Sequence, residues 1–236
     1  IDLSKYEFWF LTGSQYLYGE ETLKEVRANS KKIVKALNNS SLPYKVVYKE
    51  ILTDSDKILS QLNEANSNVN CAGVICWMHT FSPAKAWIKG LNVLKKPMLE
   101  LNTQFNVEIP YDKIDMDFMN LNQSAHGDRE FGFATSRMNI PRKVVAGHWS
   151  HKQVQDRISI WMRAAVAYVD GMNMNIVRFG DNMRDVAVTD GDKVEAMIKF
   201  GWSVQYYAVG DLVKCMSQVT DAEVNKLIKE YEDSYN

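Results

Sequence analysis

The chain has 236 residues, 46% hydrophobic and 24% charged, with 28 basic against 29 acidic side chains and a net charge of −1. This is an ordinary globular composition, and with no basic stripe it excludes nucleic acid and anionic membranes as expected partners. No run approaches the roughly 20 apolar residues of a membrane span, and the opening Ile1-Asp2-Leu3-Ser4-Lys5 does not read as a secretory signal.

Residues 7–12 form a short apolar run ending at Gly13-Ser14, a strand feeding a turn. Gln15-Tyr16-Leu17-Tyr18-Gly19 follows. Thr22 with Glu25 reads as a capping box, and Leu23, Val26, Ser30, Ile33, Val34 and Leu37 keep helical spacing. Val46-Val47-Tyr48 is the next strand. A helix from about Ser55 places Ile58, Leu59, Leu62 and Ala65 on one face. Residues 72–77 are apolar on both faces, as a central parallel strand covered by helices should be. Cys71 and Cys76 fall in or beside that run. Strand residues five apart point to opposite faces, so they are expected as buried thiols of a reducing cytoplasm, not a disulfide.

After Met78-His79-Thr80-Phe81, Ser82-Pro83 reads as an N-cap with proline at the first helical position. The helix stops before Lys95-Lys96-Pro97. Residues 98–101 are a strand ending in Asn102-Thr103-Gln104. Residues 143–146 are another, ending in Gly147-His148-Trp149. Ser150 is expected to cap a long helix with Val154, Ile158, Trp161, Met162, Ala165 and Val169 inward. The alternation predicts an α/β fold with right-handed crossovers, a doubly wound parallel sheet of the Rossmann or flavodoxin-like kind. Ligands of such sheets lie beyond the carboxyl ends of strands, where this sequence places Gln15, His79, Asn102, Gln104 and His148.

The sharpest stretch lies between the last two of those strands. Residues 120–133 carry two Asn, a Gln, a His, an Asp, an Arg and a Glu beside Phe118, Met119, Phe131 and Phe133. The aromatics are expected to bury and to draw polar neighbours with them. A buried polar group left without a partner costs roughly 1–3 kcal/mol, so each needs protein, water or ligand. A helix with a solvated polar face is the plain alternative. The stretch reads as helical over 114–138 with a break near Gly127.

Gly171 to Asn173 marks a seam, giving a first α/β domain at 1–172 and the start of a second at 173–236. The second has a strand at 175–179, a helix starting near Asp190 and reaching Phe200, a strand at 204–209, and a last helix capped by Thr220 or Asp221. Two strands do not make a self-sufficient covered sheet. Either they extend the first sheet or the sequence is a piece of something longer, and the second is the expectation. His148 and His151 are three apart but lack a carboxylate partner, which favours surface histidines over a metal pair. Asp190-Gly191-Asp192 lacks the rest of a calcium loop and reads as a cap. No phosphate-binding glycine motif occurs. Residues 180–184 fit a turn or a ligand wall equally well.

Longer runs carry a resemblance. Gly13-Ser14-Gln15-x-Leu17-Tyr18-Gly19, Trp77-x-His79-Thr80-Phe81-Ser82-Pro83-Ala84-Lys85, the run from Asp115 to Gly127, Gly147-His148-Trp149, and the run from Arg178 to Lys193 together resemble the N-terminal half of the L-arabinose isomerases, a family of aldose–ketose isomerases. The resemblance implies conversion of L-arabinose to L-ribulose through a cis-enediol. A divalent metal, usually Mn2+, polarises the sugar oxygens, and two glutamates move protons. Those glutamates and the two histidines that share the metal belong to the family's later sequence and have no match here. The resemblance thus implies no catalytic or metal residue in this segment, which alone would not catalyse.

What the resemblance does assign is substrate binding. Met183 would line the pocket of its own subunit, while Gln15, Leu17, Gln123 and His126 would reach a neighbour's. Trimers or hexamers are implied, and the sequence leaves D-galactose open as a second substrate. Two rivals remain: a stand-alone sugar-binding or oligomerisation module, and a nucleotide-binding domain that would need a phosphate loop not found.

Overall fold

The computed structural model describes residues 2–235. It divides into two compact units, 1–169 and 170–236.

The first unit is a five-stranded, wholly parallel sheet of β1 (Glu7–Gly13), β2 (Lys45–Tyr48), β3 (Cys71–Met78), β4 (Met98–Asn102) and β5 (Lys143–Ala146), ordered β2-β1-β3-β4-β5. Every residue of β3 is buried, as its unbroken apolar run requires of a central strand. One face is covered by α1 (Gly19–Asn38) and α6 (Lys152–Gly171), through Ile33, Val34 and Leu37 and through Val154, Ile158 and Met162. The other is covered by α2 (Ser55–Ser67), α3 (Ala84–Val93) and α5 (Ser124–Arg137), through Ile58 and Leu62, Trp87 and Leu91, and Phe131. This is the expected doubly wound α/β architecture. Among the described residues no helix is long and apolar enough to cross a membrane.

Several local expectations are corrected. Helix α1 starts at Gly19, so Thr22 lies inside its first turn and caps nothing. Pro83, not Ser82, occupies the N-cap position of α3. Ser82 Oγ instead accepts from Trp87 Nε1, and the Glu130 carboxylate takes the Ala84 N–H at 2.8 Å. Helix α6 begins at Lys152, past Ser150. Cys71 and Cys76 are buried and free but share one sheet face. Between Glu7 and Phe8 the pairing partner jumps from Cys71 to Gly73, a bulge that inserts one residue and resets the alternation.

The polar stretch is two helices, α4 (Met116–Leu121) and α5, broken at Asn122-Gln123 instead of Gly127. Of Phe118, Met119, Phe131 and Phe133 only Phe131 is fully buried; Met119 and Phe133 are exposed.

The second unit pairs β6 (Asn175–Phe179) with β7 (Ser203–Tyr207) in parallel, with α7 (Lys193–Phe200) between them. Asp192, not Asp190, caps α7. Strand β7 stops at Tyr207, and α8 (Val209–Met216), not anticipated from the sequence, follows it. Thr220 and Glu223 form the capping box of α9 (Asp221–Ser234). Here Val213, Leu227, Ile228 and Tyr231 stand exposed, the condition expected of two strands and three helices without a full covering layer.

Gly127 lets α5 lie directly on β3. A Cβ there would sit 2.7 Å from Met78 Cβ and 3.1 Å from the Thr80 carbonyl. Gly127→Ala should therefore cost about 1–3 kcal/mol through overpacking, despite alanine's better helix propensity. Urea denaturation measures this; an unchanged or raised midpoint would contradict it.

Candidate functional site

In a sheet of order 2-1-3-4-5 the connections reverse between β1 and β3, the usual crevice for a ligand. Here that crevice is filled. Ser14 Oγ and Thr80 Oγ1 bond across it at 2.8 Å, and both residues are buried. Thr12 bonds Ser30, Asn29 bonds His79, and a Cβ on Gly13 would strike Ser82. Helix α5 closes the top: Ser124 Oγ donates to the His79 carbonyl at 3.2 Å.

A wide opening lies instead beyond β4 and β5. A cleft of about 760 Å³ is walled by Asn102, Thr103 and Gln104 after β4, by Gly147 and His148 after β5, by the 106–114 loop, and by the α4–α5 junction. That junction explains its own polar residues. Asp115 caps α4 by accepting from the Phe118 N–H at 2.8 Å. Asn122 Nδ2 donates back to the Phe118 carbonyl at 3.0 Å, and Gln123 Nε2 donates to Asn120 Oδ1 at 3.1 Å. Amides that bond nearby backbone end helices in this way.

The structure brings together two of the five sequence-derived binding residues. Gln123 and His126 line the cleft, with the His126 ring 4.6 Å from that of Phe81. Gln15 and Leu17 sit at the 3-10 turn Tyr16–Tyr18 after β1 and do not line it; Leu17 is 83% exposed. Met183 belongs to the second unit, in the turn after β6, where its N–H donates to Thr189 Oγ1 and its side chain is exposed.

His79, expected at a ligand-facing strand end, is instead a core residue. Its ring stacks on Trp77 at 4.4 Å. Asn29 Nδ2 donates to its Nε2, so the neutral ring carries its proton on Nδ1, which has no partner. Burial pushes its pKa down to about 4. His148 has both ring nitrogens engaged, by Ser150 Oγ and by the Phe105 carbonyl. Among the described residues no group of three or more His, Cys, Asp or Glu is placed to hold a metal ion.

Among the described residues, the buried side-chain atoms without a partner besides His79 Nδ1 are Asn102 Oδ1, Gln104 Oε1, Asn106 Oδ1 and Asp128 Oδ1. All four of these residues line the cleft or a smaller cavity of about 330 Å³ that shares Asn102, Thr103 and Gln104 with it. Burial, reinforced by the Glu100 charge, lifts the Asp128 carboxyl to about 8. Glu100 is also raised by burial, against the lowering effect of Arg142, which bonds it.

Asp128, Asn106 and the Glu100–Arg142 pair were not singled out from sequence. Glu100 left a signal: a charge inside the buried run Met98-Leu99-Glu100-Leu101 requires a partner. Asp128 left only the signal of its stretch, because which polar residue of a polar helix faces inward depends on where the helix begins.

Comparison with known proteins follows the same division. A family model for the L-arabinose isomerase N-terminal domain matches residues 2–173, and one for the L-arabinose isomerase central domain matches residues 175–236. L-arabinose isomerases of Clostridium beijerinckii, Halalkalibacterium halodurans and Thermotoga maritima are 57%, 58% and 58% identical over all of this chain. The chain spans about half of each relative's length, 48%.

An unfolded histidine protonates near pH 6.5, whereas folded His79 waits until about 4. Between those values the unfolded chain binds the extra proton. The contribution is complete above pH 6.5 and is lost as pH falls toward 4, by at most about 1.4 kcal/mol per pH unit. In His79→Gln the stability–pH slope from 6.5 to 4 should be shallower by about one proton; identical slopes would contradict this.

Proposed function

The chain belongs to the L-arabinose isomerase family, and we propose that the protein of which it is part interconverts L-arabinose and L-ribulose, this segment supplying walls of the sugar site and contacts between subunits. One observation carries the reading. Gln123 and His126 meet in a single cleft that is also lined by Asn106, whose buried Oδ1 has no partner. A pentose offers hydroxyl hydrogens on several carbons, which such an acceptor and the polar tips of Gln123 and His126 can meet. A sugar with one hydroxyl misplaced leaves an acceptor unpaired, and that penalty is a basis of selectivity.

The residues described do not fit a manganese centre, since no cluster of suitable ligands exists among them. These residues do not form such a centre by themselves. The segment's work is positioning: Gln123 and His126 present polar groups, and Phe81 braces the His126 ring. Catalytic residues and Mn2+ ligands would be supplied by further sequence, as the half-length match allows.

The cleft's apolar borders favour completion by a second copy. Val107, Ile109, Tyr111, Met116 and Met119 around it are exposed, as is Leu17. Apolar groups rimmed by polar ones mark interaction surfaces. In a trimer or hexamer Gln15, Leu17, Gln123 and His126 would enter a neighbour's site, and Met183 would line its own subunit's.

Two experiments test this. The 236-residue chain supplied with L-arabinose and Mn2+ should form no ketose; ketose formation would contradict the assignment. In the full-length protein, His126→Ala and Met183→Ala should each lower kcat/KM by about tenfold or more. Mixed assemblies of the two should regain activity, because about one quarter of randomly formed sites then hold both native residues. Mixtures no more active than either parent would refute a shared site.

A further inference from the structure

The smaller cavity has a donor set of one kind. Along β4 and just beyond it, side chains alternate between faces. Leu99 and Leu101 enter the core beneath α1 and α6, and Thr103 Oγ1 on that side accepts the Trp149 N–H. Glu100, Asn102 and Gln104 have the opposite parity, on the side where Met98 packs with Phe131 of α5. From α5, Ser124 and Asp128, one helical turn apart, border the same cavity of about 330 Å³. Asn102 Oδ1, Gln104 Oε1 and Asp128 Oδ1 are buried there without partners, and Asp128 is only 7% exposed.

We propose that this cavity binds a monovalent alkali cation through the side-chain oxygens of Asn102, Gln104 and Asp128. All three unpartnered atoms are lone-pair donors, and oxygen is the ligand that hard cations take. Burial and the Glu100 charge raise the Asp128 pKa, so with nothing bound this carboxyl keeps its proton; a monovalent cation can replace that proton and leave the net charge of the cavity unchanged, with Arg142 paired to Glu100. Arg129 borders the cavity from an exposed position and is not among the groups that act on Asp128. The volume leaves room for waters to complete the coordination shell. A single carboxylate with two amides, on two separate elements, suits the loose geometry of an alkali ion better than the strict octahedron of Mg2+. Bound there, the ion would fasten the α5 N-terminus to the end of β4 and so fix the cleft wall that carries Gln123 and His126.

The test uses the full-length protein with divalent ions chelated. Crystals soaked in thallium(I) acetate should give an anomalous peak between Asn102, Gln104 and Asp128, absent in Asp128→Asn. Density at water level with no anomalous signal, or thallium only elsewhere, overturns the proposal. In solution, potassium or rubidium chloride should raise the melting temperature over tetramethylammonium chloride of equal ionic strength. Gln104→Leu, at the cavity's lip, should lose that gain while still folding; a gain unchanged in this variant overturns the site even if Asp128→Asn proves too unstable to study.

Discussion

The close seating of α5 on the carboxyl ends of β3 and β4 is the contact on which the site depends. Gly127 permits it, because any larger residue meets Met78 and the Thr80 carbonyl. Ser124 fixes it by donating to the His79 carbonyl. Together they close the crevice between β1 and β3, where a sheet of this order ordinarily receives its ligand. A cleft of about 760 Å³ opens beyond β4 and β5, walled in part by the same helix. The cleft wall thus depends on the seating of α5, which Gly127 permits.

That arrangement also accounts for the distribution of polar groups. At the ends of β1 and β3 the polar side chains pair among themselves and with α1: Ser14 with Thr80, Thr12 with Ser30 of α1, and His79 with Asn29 of α1. Further along β4 the contact loosens, and Asn102, Gln104, Asn106 and Asp128 keep oxygens without protein partners. A domain optimised only for stability would fill or pair such positions, since each costs roughly 1–3 kcal/mol. Their concentration beside one cleft is the physical sign that something other than this chain completes them.

Much of this was legible in the sequence. The unbroken apolar run of β3 announced a central strand, and the 3.6-residue spacing of Ile33, Val34 and Leu37 in α1 and of Val154, Ile158 and Met162 in α6 announced the covering helices. Errors gathered where side chains compete with backbone. Asn122 and Gln123 end α4 by bonding locally, so the break falls there although Gly127 looks like the breaker. Thr22 and Ser82 resemble caps, but helix starts were decided by the preceding turn and by Glu130 from a distant helix. The bulge that places Cys71 and Cys76 on one face depends on pairing with β1, which local pattern does not encode. Gln123 and His126 came from resemblance to the isomerase family; composition and spacing marked only their stretch. Asp128 required the finished helix.

The account's central claim concerns location: the sugar is received past β4 and β5, against Gln123 and His126, not at the reversal between β1 and β3. A crystal structure of the full-length protein with L-arabinitol, which has the hydroxyls of the sugar but no carbonyl to react, measures this directly. The account expects density contacting Gln123 and His126 of one subunit, with α5 unmoved over the paired Ser14 and Thr80. Density between Ser14 and Thr80, with α5 lifted away, would contradict it.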